Sequence, residues 1–358
     1  MNHCPKFWSE YGPNFFRQND KIRTVVLYQA KNLGDLLLLT PVIQVLKSET
    51  AAEIVVCTKV EYADLIRDEL GRVHLVERKR GFLGAILQAF KLRKRDPSIF
   101  IDLHGSFDSS LTSLVLRAPL SIRMAGLKNR LTDYFHVKVP MRSETKRHRI
   151  DQHLDVLRAI GLDVDLKFRK IQVECLLGNK SVFENICGRL LLPDRYVVIH
   201  PGSKWLFKTP SPSFWISFID NLILLGLKPI LTGNGNGLEG ELLAYLQKET
   251  GVLSLGGKTS LSDLVHVINK SIGYVGVDTF ASHVASACGI PGIVFFGPSD
   301  ESSWGPLNKE LIVVANNEFK CRPCNLDGCA GSKRSDCLNS LDPVYLANYA
   351  NRVLCETV

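Results

Sequence analysis

Two short motifs, far apart in the chain, place a glycine and an acidic residue directly after an apolar run. They are Asn32-Leu33-Gly34-Asp35 and Gly276-Val277-Asp278-Thr279-Phe280-Ala281-Ser282-His283. Glycine allows a tight turn from a strand into a helix, and the free N–H groups of the helix start can face a ligand. The motifs predict two α/β domains with functional residues at their strand ends. The structural alternative for the second motif is an Asp/Thr capping pair with a core histidine.

Asp35 has two interpretations, and its position in the sequence does not decide between them. A carboxylate at a strand-to-helix turn in an apolar setting can serve as a general base. Aspartate is also a favoured N-cap, where it stabilises a helix by about 1 kcal/mol. The segment lacks the Gly-x-Gly-x-x-Gly pattern of a dinucleotide site and the Gly-Lys-Ser/Thr end of a phosphate loop. Neither of those nucleotide sites is therefore predicted here.

A third segment, His200-Pro201-Gly202-Ser203, suits an anionic ligand. It follows an apolar run, and Lys204 and Lys208 come next, so N–H groups, a hydroxyl and ammonium groups could together bind a diphosphate. The alternative is a surface loop with scattered lysines. The glycine-rich run from 232 to 237 allows close approach of a ligand, and either Asn236 or Glu239 could reach a ribose. Glycine-rich turns are common, so this run indicates little alone.

Four of the ten cysteines are clustered near the C-terminal end of the sequence. Their spacing could enclose a tetrahedral Zn²⁺ ion, but it is not the paired CxxC…CxxC form. Reduced thiols in a compact loop are the favoured interpretation, so no metal site is predicted. The clustered residues are Cys321, Cys324, Cys329 and Cys337.

Composition and charge limit the function classes. The 358 residues are 45% hydrophobic and 22% charged, as in a globular protein, and no apolar run is long enough to span a bilayer. The sequence begins without a signal-peptide pattern, so we expect a cytoplasmic protein. Residues 1–180 carry a net charge of +10 and residues 181–358 carry −2. The first half thus favours a nucleic acid, a phosphorylated substrate or an anionic membrane, unless the charge only aids solubility.

Two basic clusters, Arg78-Lys79-Arg80 and Arg93-Lys94-Arg95, flank an apolar segment. The spacing of this segment predicts a helix over 82–95. Such a helix could lie on an anionic membrane. We expect instead that its apolar face packs on the sheet and that its basic ends remain available to phosphates.

Strand and helix patterns alternate along both halves, which indicates parallel sheets. A helix is predicted over 36–47 with Pro41 in its first turns, an irregular arm over 1–20, and a linker within 160–193. The predicted domains are residues 1–175 and 176–340. Residues 341–358 form a last helix that could pack back on the first domain.

Taken together and in order, these segments resemble glycosyltransferase family 9, the bacterial ADP-heptose:lipopolysaccharide heptosyltransferases. The resemblance covers about residues 22–355, and its Cys-rich ending, from Cys324 to Leu338, is most like the heptosyltransferase III branch. The matching segments are Leu33-Gly34-Asp35 with Thr40-Pro41, Asp102-Leu103-His104-Gly105, His200-Pro201-Gly202-Ser203 with Lys208, Gly276-Val277-Asp278-Thr279 with Ser282-His283, and Gly297-Pro298-Ser299.

The resemblance implies a GT-B fold, with two Rossmann-like, doubly wound domains facing a central cleft. It implies an inverting, metal-independent transfer of heptose from ADP-heptose to the lipopolysaccharide inner core, with no cofactor besides the donor. Asp35 would be the catalytic base that deprotonates an acceptor hydroxyl. The implied donor-binding residues are Gly202, Ser203, Lys208, Glu239, Asp278, Thr279 and His283. The implied acceptor-binding residues are Arg78, Lys79, Arg80, His104 and Arg123.

The expected partners are the inner-core acceptor and, by peripheral contact, the cytoplasmic face of an anionic inner membrane. No nucleic-acid partner is predicted, because no basic recognition helix or aromatic platform is present. The sequence sets no oligomeric state. Two other functions stay open: a GT-B sugar transferase or epimerase that uses a different nucleotide sugar, and a catalytically inert nucleotide-binding protein at the inner membrane.

Overall fold

The computed structural model describes residues 22–66, 71–125, 134–140, 147–173, 186 and 188–356. The chain folds into two compact units, Met1–Cys175 and Leu176–Val358. The predicted N-terminal arm and part of the predicted linker lie outside the described residues, as do Cys4, Cys175 and Cys187.

The first unit is built on a parallel sheet of six strands, in the order β3-β2-β1-β4-β5-β6. The two central strands are mostly apolar and are buried along their whole length, as expected for a sheet covered on both faces. The strands are β1 Thr24–Tyr28, β2 Glu53–Thr58, β3 Val73–Glu77, β4 Ile99–Asp102, β5 Leu120–Ala125 and β6 Val137–Pro140.

Five α-helices of the first unit are described. A short α1 is followed closely by α2, in which Pro41 occupies the first turn, where a missing N–H costs nothing. Ser106 caps α4, because its hydroxyl accepts a hydrogen bond from Ser109 N at 3.1 Å. The helices are α1 Leu33–Leu37, α2 Thr40–Glu49, α3 Gly81–Arg93, α4 Phe107–Leu116 and α5 Arg149–Arg158.

The second unit contains a parallel sheet of five strands, in the order β11-β10-β9-β7-β8. Its core combines strand residues with an aromatic cluster on the next helix, in which Trp215 and Phe218 pack edge-on against Phe295. The strands are β7 Val197–His200, β8 Pro229–Leu231, β9 Gly273–Val277, β10 Gly292–Phe295 and β11 Leu311–Val314.

Seven α-helices of the second unit are described. Ser211 caps α6 and Ser260 caps α8, whereas Gly251, with φ of 70°, ends α7 in the left-handed conformation that glycine adopts without strain. The last helix buries Leu346, Ala347 and Ala350 in the core of this unit, against α6. The helices are α6 Pro212–Leu224, α7 Gly237–Thr250, α8 Leu261–Asn269, α9 Phe280–Ala287, α10 Glu301–Trp304, α11 Asp336–Asn339 and α12 Pro343–Glu356.

Both strand orders are those of doubly wound α/β sheets, and each contains one point where the chain changes direction across the sheet. In the first unit this switch point lies between β1 and β4, and in the second it lies between β7 and β9. Ligands of such sheets bind outside the carboxyl ends of the strands at the switch point. The topology thus selects four segments, 29–35, 103–106, 201–208 and 278–283, which contain the motifs chosen from the sequence.

Two helices differ from expectation. The single helix expected over 36–47 is two helices, because α1 ends at Leu37 and α2 begins at Thr40. The orientation expected for α3 is wrong: its buried residues are Ala85, Gln88, Ala89 and Leu92, and four of its large apolar side chains are exposed. The two alanines face inward because α3 packs closely on α4, where Thr112 Oγ1 donates to Ala85 O at 3.3 Å. The exposed side chains are Phe82, Leu83, Leu87 and Phe90.

Candidate functional site

Asp35 lies just beyond the carboxyl end of β1, at the third position of α1. Its Oδ2 accepts hydrogen bonds from Asn32 N at 3.3 Å and from Asn32 Nδ2 at 3.2 Å. Asn32, not Asp35, is therefore the N-cap, and the carboxylate completes a capping box. The aspartate is only partly buried. It is thus held at a defined place by its own turn and remains open to solvent.

Basic residues lie near this turn of the first unit. Burial lowers the pKa of Arg149, and the negative charge of Asp35 opposes that decrease. Burial also lowers the pKa of His104 to about 3, and the positive charges of Arg78 and Lys31 lower it further. Lys31 and Arg149 act in the same direction on buried His153, so the cations share one neighbourhood. Lys31 and Arg149 were not predicted from the sequence, where nothing distinguishes them from other basic residues.

His104 follows β4, at the other side of the same switch point. Its side chain is buried and neutral at ordinary pH, and its Nδ1 accepts a hydrogen bond from Ala30 N at 3.4 Å. The loop that carries it is fixed by Asp102, whose Oδ1 accepts from His104 N at 3.0 Å and from Gly105 N at 2.8 Å. Burial raises the pKa of Asp102, and these bonds oppose the increase.

Arg123 has a different position from the one expected of an acceptor ligand. Its side chain is fully buried, donates to Ser110 Oγ at 2.8 Å and to Gly105 O at 3.0 Å, and lies 3.9 Å from Asp102. A guanidinium enclosed in this way braces the loop after β4 and has no surface to offer a substrate. Arg123 is therefore not proposed as an acceptor-binding residue.

The other three predicted acceptor residues follow β3. Arg78 donates to Asp108 Oδ2 at 2.9 Å and is mostly buried, so it joins β3 to the start of α4. Lys79 pairs with Glu77 at 3.0 Å, and both side chains are about half exposed. Arg80 is exposed at the N-cap of α3. Lys79 and Arg80 thus remain accessible to an anion, whereas Arg78 already has a carboxylate partner.

In the second unit, Lys208 and Asp278 meet across the switch point. Lys208 Nζ donates to Asp278 Oδ2 at 2.5 Å, and the carboxylate is almost completely buried. Asp278 directly follows β9, and Thr279 is the N-cap of α9. The ammonium group is therefore held at the carboxyl ends of the strands, beside the N–H groups at the start of a helix. This combination is suited to an anionic group.

Glu239 reaches the same edge of the sheet from α7. Its Oε1 accepts from Asn234 N at 3.0 Å and lies 3.7 Å from His200 Nε2. A Cβ added at Gly202 would lie 2.5 Å from Glu239 Cγ, and one at Gly233 would lie 2.6 Å from Glu239 Oε1. The two glycines therefore leave the space that the glutamate occupies. This placement favours Glu239 over Asn236, which caps α7 on the exposed side.

Burial shifts the pKa values of several residues in this group. It lowers the pKa of His200 to about 4 and raises the pKa of Glu239, so the two do not form a charged pair at neutral pH. His200 Nδ1 lies instead 3.0 Å from Thr232 Oγ1. The buried hydroxyl of Tyr274 lies close to Thr279, Asp278 and Glu239, and burial is the main cause of its raised pKa. Tyr274 was missed from sequence because it precedes the motif, inside an apolar strand.

The remaining predicted residues take ordinary positions around this site. Ser203 is buried and its Oγ accepts from Trp205 N at 3.2 Å, and His283 is buried one turn into α9. Ser335, in the Cys-rich segment, donates to Phe207 O at 2.6 Å, so this segment supports the turn that carries Lys208.

The four clustered cysteines are free thiols. Burial raises the pKa of Cys337, and Cys329 Sγ accepts from Asp336 N at 3.5 Å. Among the residues described, no group of three or more His, Cys, Asp or Glu side chains is arranged to hold a metal ion. The same part of the chain contains no helix with the length and apolar character needed to cross a bilayer.

A family model described as glycosyltransferase family 9 (heptosyltransferase) matches residues 88–333. The chain belongs to this family. Lipopolysaccharide heptosyltransferase 3 of Escherichia coli K12 is 26% identical over 187 residues, which are 49% of this chain and 52% of that relative, so the match spans about half of its length. A second Escherichia coli lipopolysaccharide heptosyltransferase 3 is 23% identical over 322 residues, 81% of this chain and 88% of the relative.

The solved structure of Escherichia coli ADP-heptose lipopolysaccharide heptosyltransferase II is 19% identical and superposes with a TM-score of 0.74, over 94% of this chain and 99% of its own. At this identity the likeness concerns the fold. With its two doubly wound parallel sheets, the family 9 chain has the GT-B fold. The predicted family and fold class are thereby confirmed.

Proposed function

We propose that this chain transfers a heptose from ADP-heptose to the inner core of lipopolysaccharide, in a step of the heptosyltransferase III type, with inversion at the anomeric carbon. The observation that carries the proposal is the pair Lys208–Asp278 at the switch point of the second sheet. It holds an ammonium group beside a helix N-terminus, where a leaving diphosphate would need positive charge. Family membership supplies the sugar, and the two relatives supply the acceptor class.

The donor would be held by residues of the second unit. The diphosphate would be bound by Lys208 and by the N–H groups at the start of α9, and Gly202 and Ser203 would also contact the donor. Glu239 would accept hydrogen bonds from the ribose hydroxyls, since its carboxylate lies between Gly202 and Gly233 at the sheet edge. Because the diphosphate leaves as an anion, charge stabilisation and not proton donation is what it requires.

Asp35 would act as the general base on the acceptor side. As the acceptor oxygen bonds to the anomeric carbon, its proton passes to the Asp35 carboxylate, and the bond to the ADP oxygen breaks with its electron pair. A single displacement of this kind inverts the anomeric centre. The capping box positions the carboxylate, and a base of this type typically contributes about 10²–10⁴-fold.

The acceptor is proposed to be anionic because of the charges around Asp35. Lys31 and Arg149 lie in its neighbourhood, and Lys79 and Arg80 are accessible at the end of β3. Phosphate groups of an inner core would complement this cluster. Such an acceptor lies in the membrane, so the chain is proposed to work in peripheral contact with the cytoplasmic face of the inner membrane.

The test is transfer with purified components. Lipopolysaccharide from cells that lack this chain is incubated with the protein and ADP-heptose, and mass spectrometry should detect one added heptose. Linkage analysis of the product should show inversion and identify the acceptor hydroxyl. Turnover with a UDP-sugar, combined with none from ADP-heptose, would favour a different GT-B transferase or epimerase and would refute the proposal.

The transfer is also proposed to need no metal, because Lys208 and the helix N-terminus already supply positive charge at the diphosphate. The rate should therefore be unchanged after exhaustive treatment with EDTA. A rate that falls with chelation and recovers when Mg²⁺ or Zn²⁺ is added would show that this assignment of charge is wrong.

A further inference from the structure

The most unusual surface of the first unit is the outer face of α3. Four large apolar side chains on it, Phe82, Leu83, Leu87 and Phe90, are between 52% and 72% exposed. They recur at helical spacing and form a ridge roughly 12 Å long, given the rise of an α-helix. The buried side of α3 includes two alanines and a glutamine and only one large apolar residue, Leu92, so most of its large apolar surface faces outward. We call these four side chains the α3 ridge.

Basic residues surround the α3 ridge. Arg80 precedes it, and exposed Lys91, Arg93 and Lys94 follow it, whereas α3 itself contains no acidic residue. The guanidinium of Arg93 lies 5.4 Å from the ring centre of Phe90, so charge and apolar surface are in contact. An apolar strip with cationic side chains at its borders is the arrangement of helices that lie in the interface of anionic bilayers.

We propose that α3 docks on an anionic phospholipid membrane, with its axis parallel to the surface and the α3 ridge inserted between the headgroups. Charge complementarity selects this occupant: the border of the ridge is positive, and phospholipid headgroups of an anionic leaflet are negative. Insertion of such a helix is shallow, about 5–10 Å, which suits side chains that project from a helix packed on a domain. The inference rests on the proposed function in one respect, namely that the acceptor is a membrane glycolipid.

The second unit provides a matched control. Leu224, at the end of α6, is 82% exposed, but α6 has no basic residue in its last turn. Removing this apolar side chain changes exposed area without touching the charged border of α3. A comparison of the two sites therefore separates a membrane-specific surface from the general stickiness of exposed leucines.

The first experiment measures partition onto vesicles of phosphatidylglycerol and phosphatidylethanolamine. The double variant Leu83→Gln/Leu87→Gln should bind about tenfold more weakly than wild type or more, because two leucine side chains no longer leave water. Leu224→Gln should bind as wild type does. Equal binding by all three proteins, or an equal loss in both variants, would overturn the proposal. Glutamine suits a helix, and unchanged circular dichroism and ADP affinity will verify folding.

The second experiment does not require a variant that binds vesicles more weakly. A Leu87→Trp variant should show emission, relative to wild type, that shifts to the blue on anionic vesicles and is quenched by brominated acyl chains. Unchanged emission would overturn the proposal. So would sedimentation without lipid that shows wild type self-associating and the double variant monomeric, because the ridge would then be a contact between copies of the chain.

A third measurement keeps the two proposals separate. Transfer from ADP-heptose is assayed with a core oligosaccharide from which the acyl chains have been removed. If wild type fails here but vesicle binding changes as expected, the proposed function fails and the membrane face stands. If the double variant transfers heptose normally and also binds vesicles normally, the membrane face fails and the function stands.

Discussion

The two switch points use their charges in opposite ways. In the second unit, the cation proposed to bind the diphosphate has a fixed partner, because Lys208 donates to the buried carboxylate of Asp278. In the first unit, the carboxylate of Asp35, the proposed base, is partly exposed, is bonded only within its own turn among the bonds described, and interacts electrostatically with Arg149. At the edge of the second sheet the charged groups are paired and mostly buried. At the edge of the first sheet the carboxylate is partly exposed and basic residues lie nearby.

The two sites would therefore suit two different kinds of ligand. A nucleotide sugar has a constant shape, so a site with fixed side chains can be prepared for it. A branched, phosphorylated acceptor contributes much charge, and long basic side chains can adapt to it. The proposed role of Asp35 as a general base requires access for an acceptor hydroxyl, and Asp35 is less buried than Asp278.

The Asp35→Asn variant tests the proposed base in the first unit. The amide oxygen can still accept the hydrogen bonds from Asn32, so the fold of α1 should persist, but the proton acceptor is lost. We expect kcat to fall by about 10²-fold or more, with unchanged ADP affinity and melting temperature. Retention of more than about a tenth of the rate would show that Asp35 is only a capping residue.

Lys208→Ala tests the closed site. Loss of a charge-assisted bond to phosphate should weaken ADP binding by about 10- to 100-fold, as measured by calorimetry, and should slow transfer. Because Asp278 would be left buried without its partner, Asp278→Asn in the same background serves as the control for a folding defect. If the affinity for ADP is unchanged in a folded protein, the diphosphate site must lie elsewhere, with Lys204 as the next candidate.

Much of this arrangement was predictable, because strand ends are marked in the sequence. An apolar run followed by Asn32–Asp35, by His200–Ser203 or by Gly276–Thr279 is a local signal, and parallel sheets bring such ends to one edge. The motifs could therefore be assigned before any strand order was known. The sequence left Asp35 as either a general base or the N-cap, and the structure shows that the N-cap is Asn32.

The burial of Arg123 and the orientation of α3 could not be predicted, because both depend on packing between residues that are distant in the sequence. Arg123 and Arg80 are both basic residues of the first unit, yet one is fully buried and the other is exposed. For α3, the periodicity allowed either face to point inward, and only close packing on α4 selects the side with Ala85 and Ala89. Patterns of hydrophobicity give the stripe of a helix, but steric fit decides which stripe is covered.

Both units should lose stability in acid because each contains a buried neutral histidine. Buried His153 in the first unit has its pKa lowered to about 3, and buried His200 in the second has its pKa lowered to about 4. The unfolded chain binds these protons near a pH of about 6.5, so the free energy of unfolding should fall as the pH decreases below that value.

Replacing either histidine by glutamine should remove up to about 1.4 kcal/mol of this loss per pH unit, in the unfolding transition of its own unit. Denaturant titrations from about pH 7 to pH 4 would measure the slopes. If the slopes of wild type and variants are equal, these imidazoles are not neutral in the native state.

Ser335 joins the Cys-rich segment to the turn that carries Lys208, and its replacement should change activity less than the other substitutions do. Ser335→Ala removes its bond to Phe207 O and leaves a buried carbonyl without that donor, which typically costs about 1 kcal/mol. We expect KM for ADP-heptose to rise about three- to fivefold, with little change in KM for the acceptor, because the first unit is untouched. Ser332→Ala, at an exposed serine of the same segment, should have no effect. If Ser335→Ala instead lowers kcat without changing the KM of the donor, the Cys-rich segment does more than position Lys208.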